Sequence, residues 1–345
     1  MQLYGLIMAG GQGTRFWPES TAKKPKQYLS LTGSESLLTQ SLKRFDSLIA
    51  PHNRYIVTVK DQSELAAKNS QNLIAKNGLI FEPAGRNTAP CILLAMAALL
   101  ENGASKDDVV CVVPSDHVIL NEKGFRETID VAVKASKEHG HIVTIGIVPN
   151  FPHTGYGYIQ KGSANGESFI VKQFKEKPDF DTAKAYVASG EYLWNAGMFV
   201  APIGVFLEEF EKCSPETFKS FSELQSSLSN EANLKAAYEK MPKDSVDYAV
   251  MEKSEKVSVV PARFDWNDLG SWDALEGVMD KQQGNTVAAA DRLLVHEAKD
   301  NIVFAPGKNV ALVGVNNLVV VSNEHSVLVM PKERAQDVKK IVEKL

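Results

Sequence analysis

Short unbroken apolar runs recur along the chain at 3–8, 55–59, 79–81, 109–113 and 142–147, and they predict buried strands. Between them the apolar spacing changes to three and four residues, at 35–49, 63–77, 88–102 and 125–137, which predicts helices. Gly78 is expected to stop the second of these in a left-handed cap. Thr88 is expected to cap the third, with Pro90 in its first turn. Alternation of strand and helix is the mark of an α/β fold with a mostly parallel sheet wrapped by helices. Ligands of such sheets bind beyond the carboxyl ends of the strands. The glycine-rich loop after residue 8 and Pro114-Ser115-Asp116-His117 both occupy that position.

From residue 154 the pattern changes. Stretches 155–159 and 169–175 read as longer, half-exposed antiparallel strands, and 192–202 as another. Residues 203–241 interleave charged and apolar positions at helical spacing and predict a flank or lid. A strand at 257–260 leads into Phe264-Asp265-Trp266-Asn267-Asp268-Leu269-Gly270-Ser271-Trp272. Beyond Asn285, residues Asn301, Asn309 and Asn317 recur every eight positions, each before a Val/Leu/Ile stretch. That period predicts a small β-helix or stacked-strand module, with a meander as the alternative. A charged amphipathic helix at 337–345 ends the chain. The expected division is 1–284 and 285–345.

Composition narrows the partners. A chain of 345 residues is long enough for one large domain and a smaller one, and its 44% hydrophobic positions are ordinary for a globular protein. A net charge of −4 argues against a nucleic-acid binder held by a general basic field, so a polyanion must be met by local cations. Cys91, Cys111 and Cys213 share no metal-ligand spacing, and free thiols in a reducing compartment are expected. The N-terminus has neither a basic start nor a small-residue cleavage site, and the longest apolar run, 92–100, is too short to span a bilayer. The expectation is a cytoplasmic protein without membrane contact.

Candidate chemistry concentrates in the first thirty residues. Gly10, Gly11 and Gly13 let backbone N–H groups approach a ligand with no Cβ in the way. Thr14 and Arg15 follow, then Lys23, Lys24 and Lys26, and the set suits a polyphosphate. The dinucleotide fingerprint is excluded because Phe16 stands where its third glycine belongs, and the run lacks the Gly-Lys-Ser/Thr ending of a P-loop. Asp116 and Asp268 each follow a predicted strand. If both strands share a sheet, the two carboxylates face the phosphate loop and suit Mg²⁺, which takes one or two carboxylates and fills its octahedron with phosphate and water. Glu176-Lys177-Pro178 is either a surface ion pair or a phosphate-binding lysine beside a hydroxyl-binding glutamate. Asn195, within Trp194-Asn195-Ala196-Gly197, suits sugar hydroxyls or merely the local backbone.

Taken together, the motifs resemble the mannose-1-phosphate guanylyltransferase (GDP-mannose pyrophosphorylase) family. They are Gly-Gly-Gln-Gly-Thr-Arg-Phe-Trp-Pro from Gly10, Lys-Pro-Lys-Gln from Lys24, and Glu-Pro-Ala-Gly-Arg-Asn-Thr-Ala-Pro from Glu82. Pro-Ser-Asp-His from Pro114, Gly-Tyr-Gly-Tyr-Ile from Gly155, Glu-Lys-Pro from Glu176 and Trp-Asn-Ala-Gly-Met-Phe from Trp194 continue the series. Ser245-Val-Asp-Tyr-Ala-Val-Met-Glu252 and Trp266-Asn-Asp-Leu-Gly-Ser-Trp272 complete it. The resemblance implies an α/β fold with a Rossmann-like nucleotidyltransferase core of mixed, mostly parallel sheet and a C-terminal β-helix-like domain. It implies the reaction of GTP with α-mannose 1-phosphate to give GDP-mannose and pyrophosphate.

Residue by residue, it implies a triphosphate loop at Gly10, Gly11, Gly13, Thr14 and Arg15, with Lys26 on the same phosphates. Gly85, Arg86, Asn87, Thr88 and Ser115 would face the nucleotide, with Glu82 as a guanine acceptor. Gly157, Glu176 and Asn195 would contact the sugar, Lys177 its phosphate, and Asp116 and Asp268 the Mg²⁺. Many longer relatives carry an added isomerase domain, and isomerase activity is not expected here. The C-terminal module offers a surface for a homodimer. Rival readings are a pyrophosphorylase for another sugar 1-phosphate or nucleotide, a nicotinamide-dependent oxidoreductase, and a silent sugar-nucleotide sensor.

Overall fold

The computed structural model describes residues 1–11 and 13–345; Gln12 of the glycine-rich loop lies outside the described residues. The first half runs β1 (Leu3–Met8), α1 (Leu37–Lys43), β2 (Arg54–Val59), α2 (Ser63–Asn69), β3 (Leu79–Glu82), α3 (Thr88–Glu101), β4 (Val109–Pro114), α4 (Glu122–His139) and β5 (Ile142–Ile147). It continues with β6 (Tyr158–Asn165), β7 (Ser168–Lys175), α5 (Phe180–Ser189) and β8 (Tyr192–Pro202). Four short helices follow, α6 (Ile203–Cys213), α7 (Pro215–Phe218), α8 (Phe221–Ser226) and α9 (Glu231–Glu239), then β9 (Val257–Pro261).

These nine strands form one mixed sheet in the order β3-β2-β1-β4-β8-β5-β9-β7-β6. The half from β3 to β4 is parallel, and β1, β2 and β4 are buried on both faces, as their continuous apolar runs require, while the edge strand β3 is buried at alternate positions. β8 runs antiparallel to β4 and β5, while β5 and β9 are parallel. Opposite Thr144 and Gly146, β8 carries extra residues and bends at Gly197, whose φ is 65°. One core lies under α3 and the helices α6 to α9, the other under α1, α2 and α4. The 203–241 segment is therefore a packed flank, with Phe206, Phe210, Leu224 and Tyr238 buried.

Three local expectations change. The 63–77 pattern is helical only to Asn69. There Asn69 Nδ2 donates to the Leu65 carbonyl at 2.8 Å and Ser70 Oγ to that of Ala66 at 2.7 Å, taking acceptors the next turn would need. Gly78 is no left-handed cap: a Cβ there would lie 2.8 Å from the Ala75 carbonyl oxygen and 2.9 Å from that of Arg54, so close approach selects the glycine. Asn87, not Thr88, caps α3, with its Oδ1 accepting from Thr88 N at 2.9 Å.

The C-terminal part comprises β10 (Lys281–Gln282), β11 (Asn285–His296), β12 (Ile302–Val313), β13 (Leu318–Ser322), β14 (Val327–Pro331) and α10 (Val338–Val342). β11, β12 and β13 stack in parallel, and β14 returns antiparallel. The stacked corners fall at Asn285, Asn301 and Leu318, so the repeat is 16 and then 17 residues rather than eight. Asn301 N and Nδ2 donate to Asn285 Oδ1 at 3.0 and 2.9 Å, and Leu318 N donates to Asn301 Oδ1 at 2.9 Å. Asn309 lies exposed within β12, and Asn317 is an exposed corner with φ 58°. This module packs behind the glycine loop: Phe16 meets Trp272 at 5.0 Å between ring centres, and Trp272 meets Phe304 at 5.2 Å. All three cysteines are free, and no helix among the described residues is long and apolar enough to cross a membrane.

Candidate active site

Two adjacent cavities open beyond the carboxyl ends of β1, β3 and β4. The larger, about 430 Å³, is lined by Gly10, Gly11, Glu82, Gly85, Arg86, Asn87 and Thr88 at one end and by Gly157, Glu176, Asn195 and Asp247 at the other. The smaller, about 250 Å³, is lined by Gly13, Thr14, Arg15, Lys26, Asp116 and Gly270. His117 and Asp268 line both.

In the smaller cavity Gly13 takes φ 61°, and a Cβ there would lie 2.2 Å from the Cβ of Lys26. Only glycine allows both the turn and the close approach of that lysine. Lys26 is buried, and its Nζ donates to Asp116 Oδ2 at 2.9 Å and to the Asp268 carbonyl at 2.6 Å. Arg15 Nη1 donates to the Gly270 carbonyl at 2.8 Å.

Asp116 and Asp268 converge although β4 and β9 are not neighbours in the sheet. A two-residue antiparallel bridge makes the connection, Val118 N donating to Asn267 O at 2.8 Å and Asn267 N to Val118 O at 3.1 Å. Burial alone would raise the Asp116 carboxyl, but the charge and hydrogen bond of Lys26 hold it below its usual range. Tyr156 donates to Asp268 Oδ1 at 2.8 Å, and burial followed by that carboxylate raises the phenol's pKa. One oxygen of each Asp stays outside the hydrogen bonds of the described residues. Two hard carboxylate oxygens beside a phosphate-sized cavity fit a divalent cation that completes its shell with phosphate and water. Among the described residues no third acidic, histidine or cysteine ligand joins them.

Trp266 Nε1 donates to His117 Nδ1 at 3.1 Å, which makes that nitrogen an acceptor and leaves the ring neutral. Burial likewise lowers the His117 pKa, with Asp116 acting in the opposite direction.

At the other end of the larger cavity the buried Glu82 accepts from the Tyr238 hydroxyl, and burial pushes its carboxyl up to about 7. Thr88 Oγ1 accepts from Val246 N at 2.8 Å, tying α3 to the single π-turn Asp247–Met251. Asn195 Oδ1 accepts from Thr144 Oγ1 at 3.0 Å and from Gly197 N at 3.1 Å, and Nδ2 donates to Asp247 Oδ1 at 2.9 Å. Burial and then Glu176 push the Asp247 carboxyl up to about 7.

Four candidates line neither cavity. Ser115 is buried, with its N–H on Met8 O and its carbonyl on Ser41 Oγ. Lys23 and Lys24 are exposed. Lys177, at φ 47°, turns its exposed ammonium onto Glu176 Oε1 at 2.7 Å. Asp247, Tyr156, Tyr238 and His117 are the lining or supporting groups that sequence reasoning left without a role. For Asp247 the signal was present: an acid within Ser245–Glu252, a quoted motif with no chemistry attached.

Residues 4–284 match the nucleotidyl transferase family, and residues 291–345 match the mannose-phosphate isomerase/GMP-like β-helix domain. The class is thus an enzyme of nucleotidyl transfer. The mannose-1-phosphate guanylyltransferase of Klebsiella pneumoniae is 41% identical over 350 residues, covering 99% of this chain and 73% of that protein. The mannose-1-phosphate guanylyltransferase of Salmonella muenchen is 39% identical over 351 residues, covering 100% and 73%. A solved Thermus thermophilus structure, described as a mannose-1-phosphate geranyltransferase, superposes with a TM-score of 0.92 at 35% identity, covering 100% of this chain and 99% of that one. The chain therefore belongs to the mannose-1-phosphate guanylyltransferase family of nucleotidyl transferases.

Proposed function

We propose that this enzyme transfers GMP from GTP to α-D-mannose 1-phosphate, releasing pyrophosphate. The observation that carries the reading is that the two cavities lie side by side and share Asp268 and His117 as a common wall. One continuous site then runs from the Glu82 end, through the glycine loop, to the Gly157–Glu176–Asn195 end.

In this reading the base and ribose lie against Gly85, Arg86, Asn87 and Thr88, with Glu82 near the base. The triphosphate follows Gly10, Gly11, Gly13 and Thr14 into the cavity of Arg15 and Lys26. The sugar occupies the opposite end, and Lys177 swings from Glu176 onto the sugar phosphate. An oxygen of that phosphate attacks the α-phosphorus in line as the bond to the β-phosphate bridging oxygen breaks. The attacking oxygen already carries charge, so no base has to remove a proton. Two unit charges about 4 Å apart repel by about 1 kcal/mol in water and by about 4 kcal/mol at an effective dielectric near 20. Arg15, Lys26 and Lys177 offset that repulsion and fix the line of approach. Asp116 and Asp268 would hold Mg²⁺, which supplies charge neutralisation at the phosphate oxygens when bound. Residues 285–345 form the second domain of this scheme and prop the glycine loop from behind through Phe16 and Trp272.

The test is pyrophosphate release across GTP, ATP, UTP and dTTP, each with mannose or glucose 1-phosphate. Preference for GTP with mannose 1-phosphate is expected. Faster turnover of any other pair overturns the assignment.

A further inference from the structure

We propose that Asp247 is a sugar-binding residue, forming with Glu176 a two-carboxylate clamp on adjacent hydroxyls of the hexose, and that Asn195 positions it. The inference rests on the nucleotidyl-transfer reading of the crevice and adds a residue to its sugar end.

The hydrogen-bond inventory of Asn195 carries the argument. Its Oδ1 has both acceptor positions filled, by Thr144 Oγ1 at 3.0 Å and Gly197 N at 3.1 Å. Those two donors fix the amide so that Nδ2 points at Asp247 Oδ1, 2.9 Å away. At most one N–H of Asn195 is left for a ligand. The group it presents to the crevice is the Asp247 carboxylate, whose Oδ2 has no partner among the described residues. Glu176 reaches the same end of the crevice. Its Oε1 accepts from Lys177, and its Oε2 lies 2.5 Å from where a Cβ on residue 157 would stand, so Gly157 makes room for it. Two carboxyl groups thus face one space.

The complement of two carboxylates is either a cation or a set of hydroxyl donors. Among the described residues no third ligand completes a cation site there. A hexose presents hydroxyls on neighbouring carbons, and each can donate to one carboxylate. The upward shift of Asp247 agrees with two acids sharing one desolvated space.

Steady-state kinetics of the full chain test the clamp, with wild type, Asp247→Ala and Asp247→Asn, on mannose 1-phosphate and its 2-, 3-, 4- and 6-deoxy analogues. Asp247→Ala should raise the KM for the sugar phosphate about tenfold or more, with the KM for GTP within about twofold of wild type. Asp247→Asn, which keeps the acceptor for Asn195 and turns an amide N–H toward the sugar hydroxyl oxygen, should recover part of that loss. The analogue lacking the hydroxyl held by Asp247 should be poor with wild type and lose nothing further in the variant, while the others lose the full factor. Equal loss on every analogue, or parallel rises in both KM values, overturns the clamp. Should Asp247→Ala fail to fold, the same comparison runs on Asp247→Asn.

If wild type prefers another hexose 1-phosphate, the substrate assignment falls and the clamp is judged on that sugar's deoxy series. If wild type turns over no sugar phosphate, calorimetric binding of mannose 1-phosphate decides. Equal affinity in wild type and Asp247→Ala then overturns it.

Discussion

The stacked strands beyond residue 285 and the crevice above the nine-stranded sheet both bury polar side chains, but they complete their hydrogen bonds differently. In the stack Asn285 and Asn301 are wholly buried. Asn285 Nδ2 donates to the Gln283 and Ala298 carbonyls at 3.0 and 3.1 Å, and its Oδ1 accepts twice from Asn301. Asn301 closes the set by donating to the Val315 carbonyl at 2.9 Å and accepting from Leu318 N. In the crevice Glu82 and Asp247 have carboxyls pushed to about 7, Lys26 lies between two aspartates, and among the described residues each aspartate keeps an unengaged oxygen. A buried network closed on itself adds stability, whereas one with open positions toward a cavity is arranged for what enters it. Mutation should therefore hit stability in the stack and turnover in the crevice.

The largest expected effect is on turnover. Asp268→Asn keeps the shape of the side chain and its acceptor for Tyr156 but halves the acidic pair. A fall in kcat of about 10²- to 10³-fold is expected, the size of losing one preorganised charge at a reacting phosphate. Thermal unfolding should stay within a few degrees of wild type. Near-native turnover in the purified variant would remove Asp268 from the chemistry.

Next comes the stack. Asn301→Ala deletes the acceptor of Leu318 N and both side-chain donors, leaving a part-buried N–H and the acceptors of those donors short of a partner. About 3 to 4 kcal/mol of stability should be lost, read by urea unfolding. The kcat of molecules that remain folded should be unchanged. A variant as stable as wild type would mean that the ladder is incidental.

How far sequence reaches follows the same division. The strands at 109–113 and 142–147 and the free thiol of Cys111 were legible because runs of buried β-branched residues leave little choice. The convergence of Asp116 and Asp268 was legible only as a condition, since it depends on a bridge of Val118 with Asn267, and no local pattern encodes so short a long-range pairing. Asp247 was passed over because it falls between the predicted helical segment 203–241 and the strand at 257–260, where no periodicity marks a buried acid; its place in the crevice is held by the Thr88–Val246 bond and by Asn195. Glu82 was legible as a candidate and does line the crevice, but its partner Tyr238 lies 156 positions away. The helix ending at Asn69 was missed because side-chain bonds to carbonyls compete with a helix that periodicity favours.

The Glu82 carboxyl sharpens the comparison through pH. Burial raises it from 4.5 unfolded to about 7 folded, so the folded state holds its proton longer. That contribution is complete below about pH 4.5 and is lost as pH rises through about 7. Between about pH 5 and pH 8 wild type should lose about 2 to 3 kcal/mol from this group, a loss absent from Glu82→Gln. Thermal midpoints of both proteins across that range provide the check. Parallel curves would show that Glu82 is ionised in the folded state throughout.

The smallest effect discriminates most finely between repeat lengths. Asn309 and Asn301 stand eight positions apart, and each precedes an apolar stretch, so a true eight-residue period would make them equivalent. Asn309 lies exposed in β12, opposite Arg292 of β11, and no side-chain hydrogen bond from it occurs among the described residues. Asn309→Ala should therefore change stability by less than about 0.5 kcal/mol, the usual range for a surface substitution away from special features. A loss comparable to that of Asn301→Ala, measured in the same urea series, would restore the shorter period and leave the corner geometry without an energetic role.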